Sequence, residues 1–96
     1  MAKIIYICKA APRGLLNGKR YDYNYDHRAK FDDFEEAREY LESLVFNGSL
    51  LYARHCLGFT SPILDYRSEY EIALHVPGQP EFEVLYTLEA ETCSIN

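Results

Sequence analysis

Apolar side chains occupy alternate positions at Tyr70, Ile72, Leu74 and Val76, and again at Phe82, Val84, Tyr86 and Leu88, with Pro77-Gly78-Gln79-Pro80 between the two runs. Alternation with a period of two puts one set of side chains on one face of a pleated strand. Two such runs joined by a Pro/Gly turn make an antiparallel hairpin with one apolar face. An isolated hairpin is marginal in water, so the remainder of this 96-residue chain must cover that face. Matching the two apolar faces sets Val76 opposite Phe82 across a loop of five residues, with His75 opposite Glu83 and Glu69 opposite Glu89 on the outer face.

The cover is legible in residues 31–48. Asp32 reads as the helix N-cap, and Glu35 completes an Asp-x-x-Glu variant of the capping box. Phe34, Ala37, Tyr40, Leu41, Leu44 and Val45 then form one apolar stripe, and Asn47-Gly48 reads as the stop, because glycine enters the left-handed conformation without strain.

The other segments read as follows. Residues 3–9 are β-branched and aromatic, the pattern of a central strand buried on both faces. Residues 10–18 hold Pro12, Gly14 and Asn17-Gly18 and form a loop, in which Leu15 and Leu16 are either a lid on the core or an exposed contact. Residues 19–26 alternate through Tyr21, Tyr23 and Tyr25 and pair antiparallel with the first strand. Residues 49–57 alternate as a third strand, and residues 58–67, with Gly58 and Pro62, form a turn-rich connection. Residues 90–96 read as a frayed tail. The expectation is a single α+β domain over residues 1–96, in the order β-β-α-β-β-β. One helix packs on one face of an antiparallel sheet and sets Phe34, Tyr40, Leu41 and Leu44 against Ile72, Leu74, Val84 and Tyr86.

Composition narrows the function classes. With 48% hydrophobic and 26% charged residues the chain is not disordered in bulk. The apolar run at 4–8 is too short for a signal peptide, and no run approaches the ~20 residues of a membrane span. Three cysteines, Cys8, Cys56 and Cys93, are odd in number and widely spaced, which points to reduced thiols and a cytoplasmic location.

Charge is divided between the ends. Residues 1–30 carry seven Lys and Arg against two acids, net +5, whereas residues 31–96 carry three against thirteen, net −10. An acidic excess of this size steers association with a basic surface. Its carboxylates resolve into a helix set, Asp32, Asp33, Glu35, Glu36, Glu39 and Glu42, and a sheet-face set, Glu69, Glu71, Glu83 and Glu89. These ten are the candidate partner-binding residues. The basic first hairpin is expected to lie across the sheet from the second set and to neutralise part of it.

Other constellations point less far. His55 and Cys56 are adjacent on a strand and so face opposite ways, which argues against a catalytic dyad. His27, His55, His75 and the cysteines lack the paired spacing of zinc ligands, so neither metal nor cofactor is expected. The Tyr-rich basic stretch 19–30 has the composition of a base-stacking surface, but Asp22, Asn24 and Asp26 dilute it, and direct nucleic-acid binding is not expected.

The segment Phe31-Asp32-Asp33-Phe34-Glu35-Glu36-Ala37-Arg38-Glu39-Tyr40-Leu41 resembles the F-x-x-x-E-E-A-x-x-Y/F-L helix block found after a strand in small phage and prophage accessory proteins. Some anti-CRISPR inhibitors are similar in size, acidity and β-β-α-β organisation. The resemblance covers these residues alone and assigns no functional residue. It implies a stand-alone inhibitor or accessory protein, in the host cytoplasm if phage-encoded. The expected function is therefore that of a non-enzymatic inhibitor whose acidic surface docks on a basic, nucleic-acid-handling protein and blocks access of DNA or RNA. Two alternatives stand beside it. One is a homodimer formed through the Tyr21, Tyr23 and Tyr25 face or the open face of the sheet. The other is a small enzyme using Cys56 or a composite His/Cys site.

Overall fold

A computed structural model describes residues 2–16, 18–20, 25–53 and 62–94. The elements are β1 (Ala2–Arg13), β2 (Leu15–Leu16), β3 (Lys19–Arg20), β4 (Tyr25–Phe31), α1 (Phe34–Ala53), β5 (Ile63–Ser68), β6 (Glu71–Val76) and β7 (Gln79–Ser94). Five strands form an antiparallel sheet in the order β4-β1-β7-β6-β5, and β2 and β3 pair as a separate short ribbon. That ribbon aside, the chain follows the expected β-β-α-β-β-β order, with α1 packed on one face of the sheet.

The hairpin of β6 and β7 has the register that its apolar faces demand. Ile72 pairs with Tyr86, Leu74 with Val84 and His75 with Glu83. Any slip by one residue would turn every apolar side chain to the wrong face. The loop is tighter than five residues, because Val76 pairs with Gln79 and the turn is Pro77-Gly78 alone. Gly78 adopts φ +79°, the left-handed conformation that glycine supplies after proline in a type II turn. The register shift leaves Pro80, Glu81 and Phe82 as extra residues on β7, and Phe82 is fully buried there. Gly14, at φ +89°, lies against the Glu81 carbonyl so closely that no Cβ would fit between them.

Three strand expectations are corrected. β7, not β1, is the central strand, since β1 lies between β4 and β7. Residues 90–94 are not a frayed tail. β7 continues to Ser94, and its last residues pair with the start of β1, from Ala2↔Ser94 to Tyr6↔Ala90. The ladder persists because β1 is long enough to offer a partner for each of them. The partner of β1 on its other edge is β4, with Cys8↔Ala29 and Tyr6↔Phe31. It begins at Tyr25, later than the expected 19–26, and Tyr21 and Tyr23 lie outside the described residues.

The helix differs at both ends. Asp33, not Asp32, is its cap: the Asp33 carboxylate accepts from the Glu36 backbone N–H at 3.3 Å, and the Asp33 carbonyl accepts from the Ala37 N–H at 3.1 Å. Starting one residue later frees Asp32 for Lys3, 3.0 Å away. At the other end α1 passes through Gly48 to Ala53, so residues 49–53 are helical and not the start of a third strand. The third strand of the sheet is β5, which apart from Ser68 lies in the stretch expected as a connection. The remainder of the expected strand, 54–57, lies outside the described residues. The helix needs a glycine at position 48, because the Tyr86 hydroxyl lies over it in the space where a side chain would be.

The core forms between α1 and the sheet. Ala37, Leu41, Val45 and Tyr52 of the helix meet Cys8, Ile72, Leu74, Phe82, Val84, Tyr86 and Leu88, with Phe34, Tyr40 and Leu44 packed at its margin. Leu16 closes the core and is buried, whereas Leu15 is exposed. Phe31 packs on Tyr40 with ring centroids 5.1 Å apart, and Phe34 packs edge-on against both Tyr6 and Tyr70.

Candidate functional site

The ten candidate carboxylates do not form one surface. Strand alternation puts Glu71, Glu83 and Glu89 on the sheet face opposite α1, because their neighbours Ile72, Val84 and Leu88 are buried beneath the helix. Bases share that outer face. Lys9 pairs with Glu89 at 2.8 Å, so the basic end of the chain does reach this carboxylate. Arg67 holds Asp65 at 3.2 Å, Glu71 at 3.2 Å and Glu83 at 2.8 Å. Hydrogen bonds to Asp65 first and Glu71 second raise the Arg67 pKa further above its ordinary range, so its charge is permanent. Arg13 lies opposite Glu83 in the β1–β7 register. The outer face is therefore a mixed-charge surface.

Arg67 occupies the bulge where the β5–β6 register shifts between Tyr66 and Ser68. The extra residue on the edge strand lets one guanidinium serve carboxylates from β5, β6 and β7. Sequence reasoning placed Arg67 in a loop and so missed this node. The bulge is a tertiary feature with no local signal beyond the acids around it.

On the helix, three of the six carboxylates have structural duties. Asp32 pairs with Lys3 and Asp33 caps α1. Glu42 pairs with Arg38 at 3.4 Å, while another Arg38 nitrogen donates to the Glu69 carbonyl at 2.7 Å. Glu35, Glu36 and Glu39 are exposed and form no ion pair with any described residue. At spacings of four and three, Glu35, Glu39 and Glu42 line one side of α1. The Glu69 side chain is exposed beside the turn that Arg38 holds. The acidic surface that forms no ion pair among the described residues thus contracts to a ridge of Glu35, Glu36 and Glu39, with the Arg38-paired Glu42 at its end.

The same side of α1 changes character past Glu42, where Phe46 and Leu50 follow at the same spacing and are both exposed. They border a groove of about 550 Å³.

The nucleophile and metal candidates gather nowhere among the described residues. Cys8 faces the helix, fully buried, and donates to the Ala37 carbonyl at 3.2 Å; burial raises its pKa, so the reactive thiolate is disfavoured. His75 lies on the opposite face, between Ile63 and Glu83 in register. His55 and Cys56 lie outside the described residues. Among the described residues no group of three His, Cys, Asp or Glu side chains is placed to hold a metal, and no helix is long and apolar enough to cross a membrane. Set against family models, curated proteins and solved structures, the chain matches none of them.

Proposed function

We propose that this protein is a non-enzymatic inhibitor or accessory protein that docks the Glu35-Glu36-Glu39 ridge of α1 on a basic surface of a nucleic-acid-handling protein. In this reading it acts in the cytoplasm, in the manner of an anti-CRISPR inhibitor, by occupying a surface that DNA or RNA needs. The observation that carries the reading is the uneven compensation of charge. Lys9 and Arg67 engage the sheet-face carboxylates, whereas Glu35, Glu36 and Glu39 form no ion pair with any described residue. Carboxylates held on a helix side offer oxygens to Lys and Arg through charge-assisted hydrogen bonds, as phosphates do. Adjacent like charges on the helix oppose its stability by a few tenths of a kcal/mol per pair, and a basic partner relieves that repulsion.

The test is capture from host lysate at low salt by the native chain and by a Glu35→Lys, Glu39→Lys variant, followed by competition between the chain and nucleic acid for the captured protein. The native chain retains a nucleic-acid-binding protein, releases it as salt is raised, and competes with the nucleic acid; the variant retains none. Affinity that stayed flat between low and moderate salt, or that survived the double charge reversal, would refute the proposal.

A further inference from the structure

The helix packs on β4, β1, β7 and β6, while β5 projects beyond it at the edge of the sheet. This overhang creates the groove. Ile72 lies among its lining residues, with Phe46 and Leu50 on the helix side and Leu64 and Tyr66 on the strand side. Phe46 is 63% exposed, Leu50 53% and Tyr66 61%. A volume of about 550 Å³ has room for more than one large side chain. Ser49 also lines it, and its hydroxyl is buried without a hydrogen-bond partner among the described residues. An unsatisfied buried hydroxyl is unfavourable, and a polar group on an occupant would relieve it once the side chain rotates.

Charge decides the kind of occupant. Glu42, which shares its charge with Arg38, lines the groove, and Glu39 and Glu35, without an ion pair among the described residues, continue from it along the same helix side. From Glu35 to Leu50 that side is about 22 Å long at the helical rise. A second copy of this chain would bring another net charge of −5 and another uncompensated ridge to the contact. A segment that is apolar at one end and basic at the other fits both halves.

We propose that the α1–β5 groove receives the apolar end of a partner segment whose Lys and Arg residues run along Glu42, Glu39 and Glu35. The assignment rests on the acidic-ridge reading and adds the anchor that converts a steering field into a specific complex. Charge alone sets encounter rate and salt dependence, whereas desolvated apolar side chains in a pocket dominate interface energies.

Two peptides of about 16 residues, long enough as helices to cover this side, test it against the full chain by fluorescence anisotropy. Both carry the same Lys residues in one half. In the other half one has Leu residues at i and i+4, and the second has Ser in their place. The Leu peptide is expected to bind about tenfold tighter, equivalent to about 1.4 kcal/mol. A Phe46→Ser, Leu50→Ser variant loses that difference but keeps the binding of the Ser peptide. The Glu35→Lys, Glu39→Lys variant weakens both peptides.

Equal affinity of the two peptides, or a Leu preference that survives in the Phe46→Ser, Leu50→Ser variant, overturns the groove assignment and leaves the ridge reading standing. Failure of the Ser peptide to bind in a salt-sensitive way counts against the ridge reading itself. A dimer in light scattering that the Phe46→Ser, Leu50→Ser variant abolishes assigns the groove to a second copy and overturns the proposal.

Discussion

The hydroxyl of Tyr86 lies over Gly48, in the space left by the glycine's missing side chain. Tyr86 is 3% exposed, and burial raises its pKa well above the ordinary 10.0. The helix thus passes over the end of the Tyr86 side chain at Gly48, and it runs on for five residues beyond it.

Replacing Gly48 with alanine favours an isolated helix by roughly 1 kcal/mol through backbone entropy. In this protein the methyl group would meet the Tyr86 hydroxyl, and overpacking of this kind typically costs about 1–3 kcal/mol. Gly48→Ala is therefore expected to destabilise the fold. In a Tyr86→Phe background the hydroxyl is gone, the nearest ring carbon is 3.2 Å from the new Cβ, and the penalty shrinks. A double-mutant cycle by urea denaturation checks this; additive effects would contradict the contact.

Arg67 links Asp65, Glu71 and Glu83 on the exposed face. Arg67→Ala leaves these carboxylates close together without a cation. A small fall in Tm is expected at low salt, shrinking as salt screens the repulsion. Arg67→Lys recovers only part of it, because one ammonium does not reproduce the branched donors of a guanidinium. Thermal scans at two ionic strengths measure both effects, and a salt-independent loss would show that Arg67 acts through packing alone.

Two buried groups make stability fall at alkaline pH. Burial raises the pKa of Cys8 from 9.0 and that of Tyr86 from 10.0, so each ionises in the unfolded chain before it does in the fold. Their contribution is complete below these ordinary values and is lost as pH rises above them toward the folded-state values. Tyr86 by itself gives a slope of about 1.4 kcal/mol per pH unit above pH 10. Urea midpoints measured across that range should fall less steeply for Tyr86→Phe than for the native chain. Parallel curves would exclude Tyr86 as a source.

Much of this architecture is legible locally. The alternation at Ile72, Leu74, Val84 and Tyr86 states both the strands and their register, because any other pairing buries charge and exposes apolar surface. The stripe from Phe34 to Val45 states the helix and its buried side for the same reason. The acidic excess is equally plain from composition, but which acids are free is not. Asp32 and Asp33 look alike in sequence; the turn of chain entering α1 gives one to Lys3 and the other to the helix N-terminus.

By itself, then, the sequence determined the α+β class, the central hairpin register, the amphipathic helix and the acidic bias. Each is a periodicity or a count that operates over a few neighbouring residues. Only the tertiary structure decided that the helix continues through Gly48, that β7 stays paired to Ser94, and that Arg67 joins acids from three strands. It also decided that the free carboxylates form a ridge leading to an apolar groove beside the overhanging β5. These features depend on which surfaces meet across the fold. A glycine reads as a helix stop until a tyrosine from a distant strand fills its place, and a carboxylate reads as a binding group until a cation from the other end of the chain reaches it.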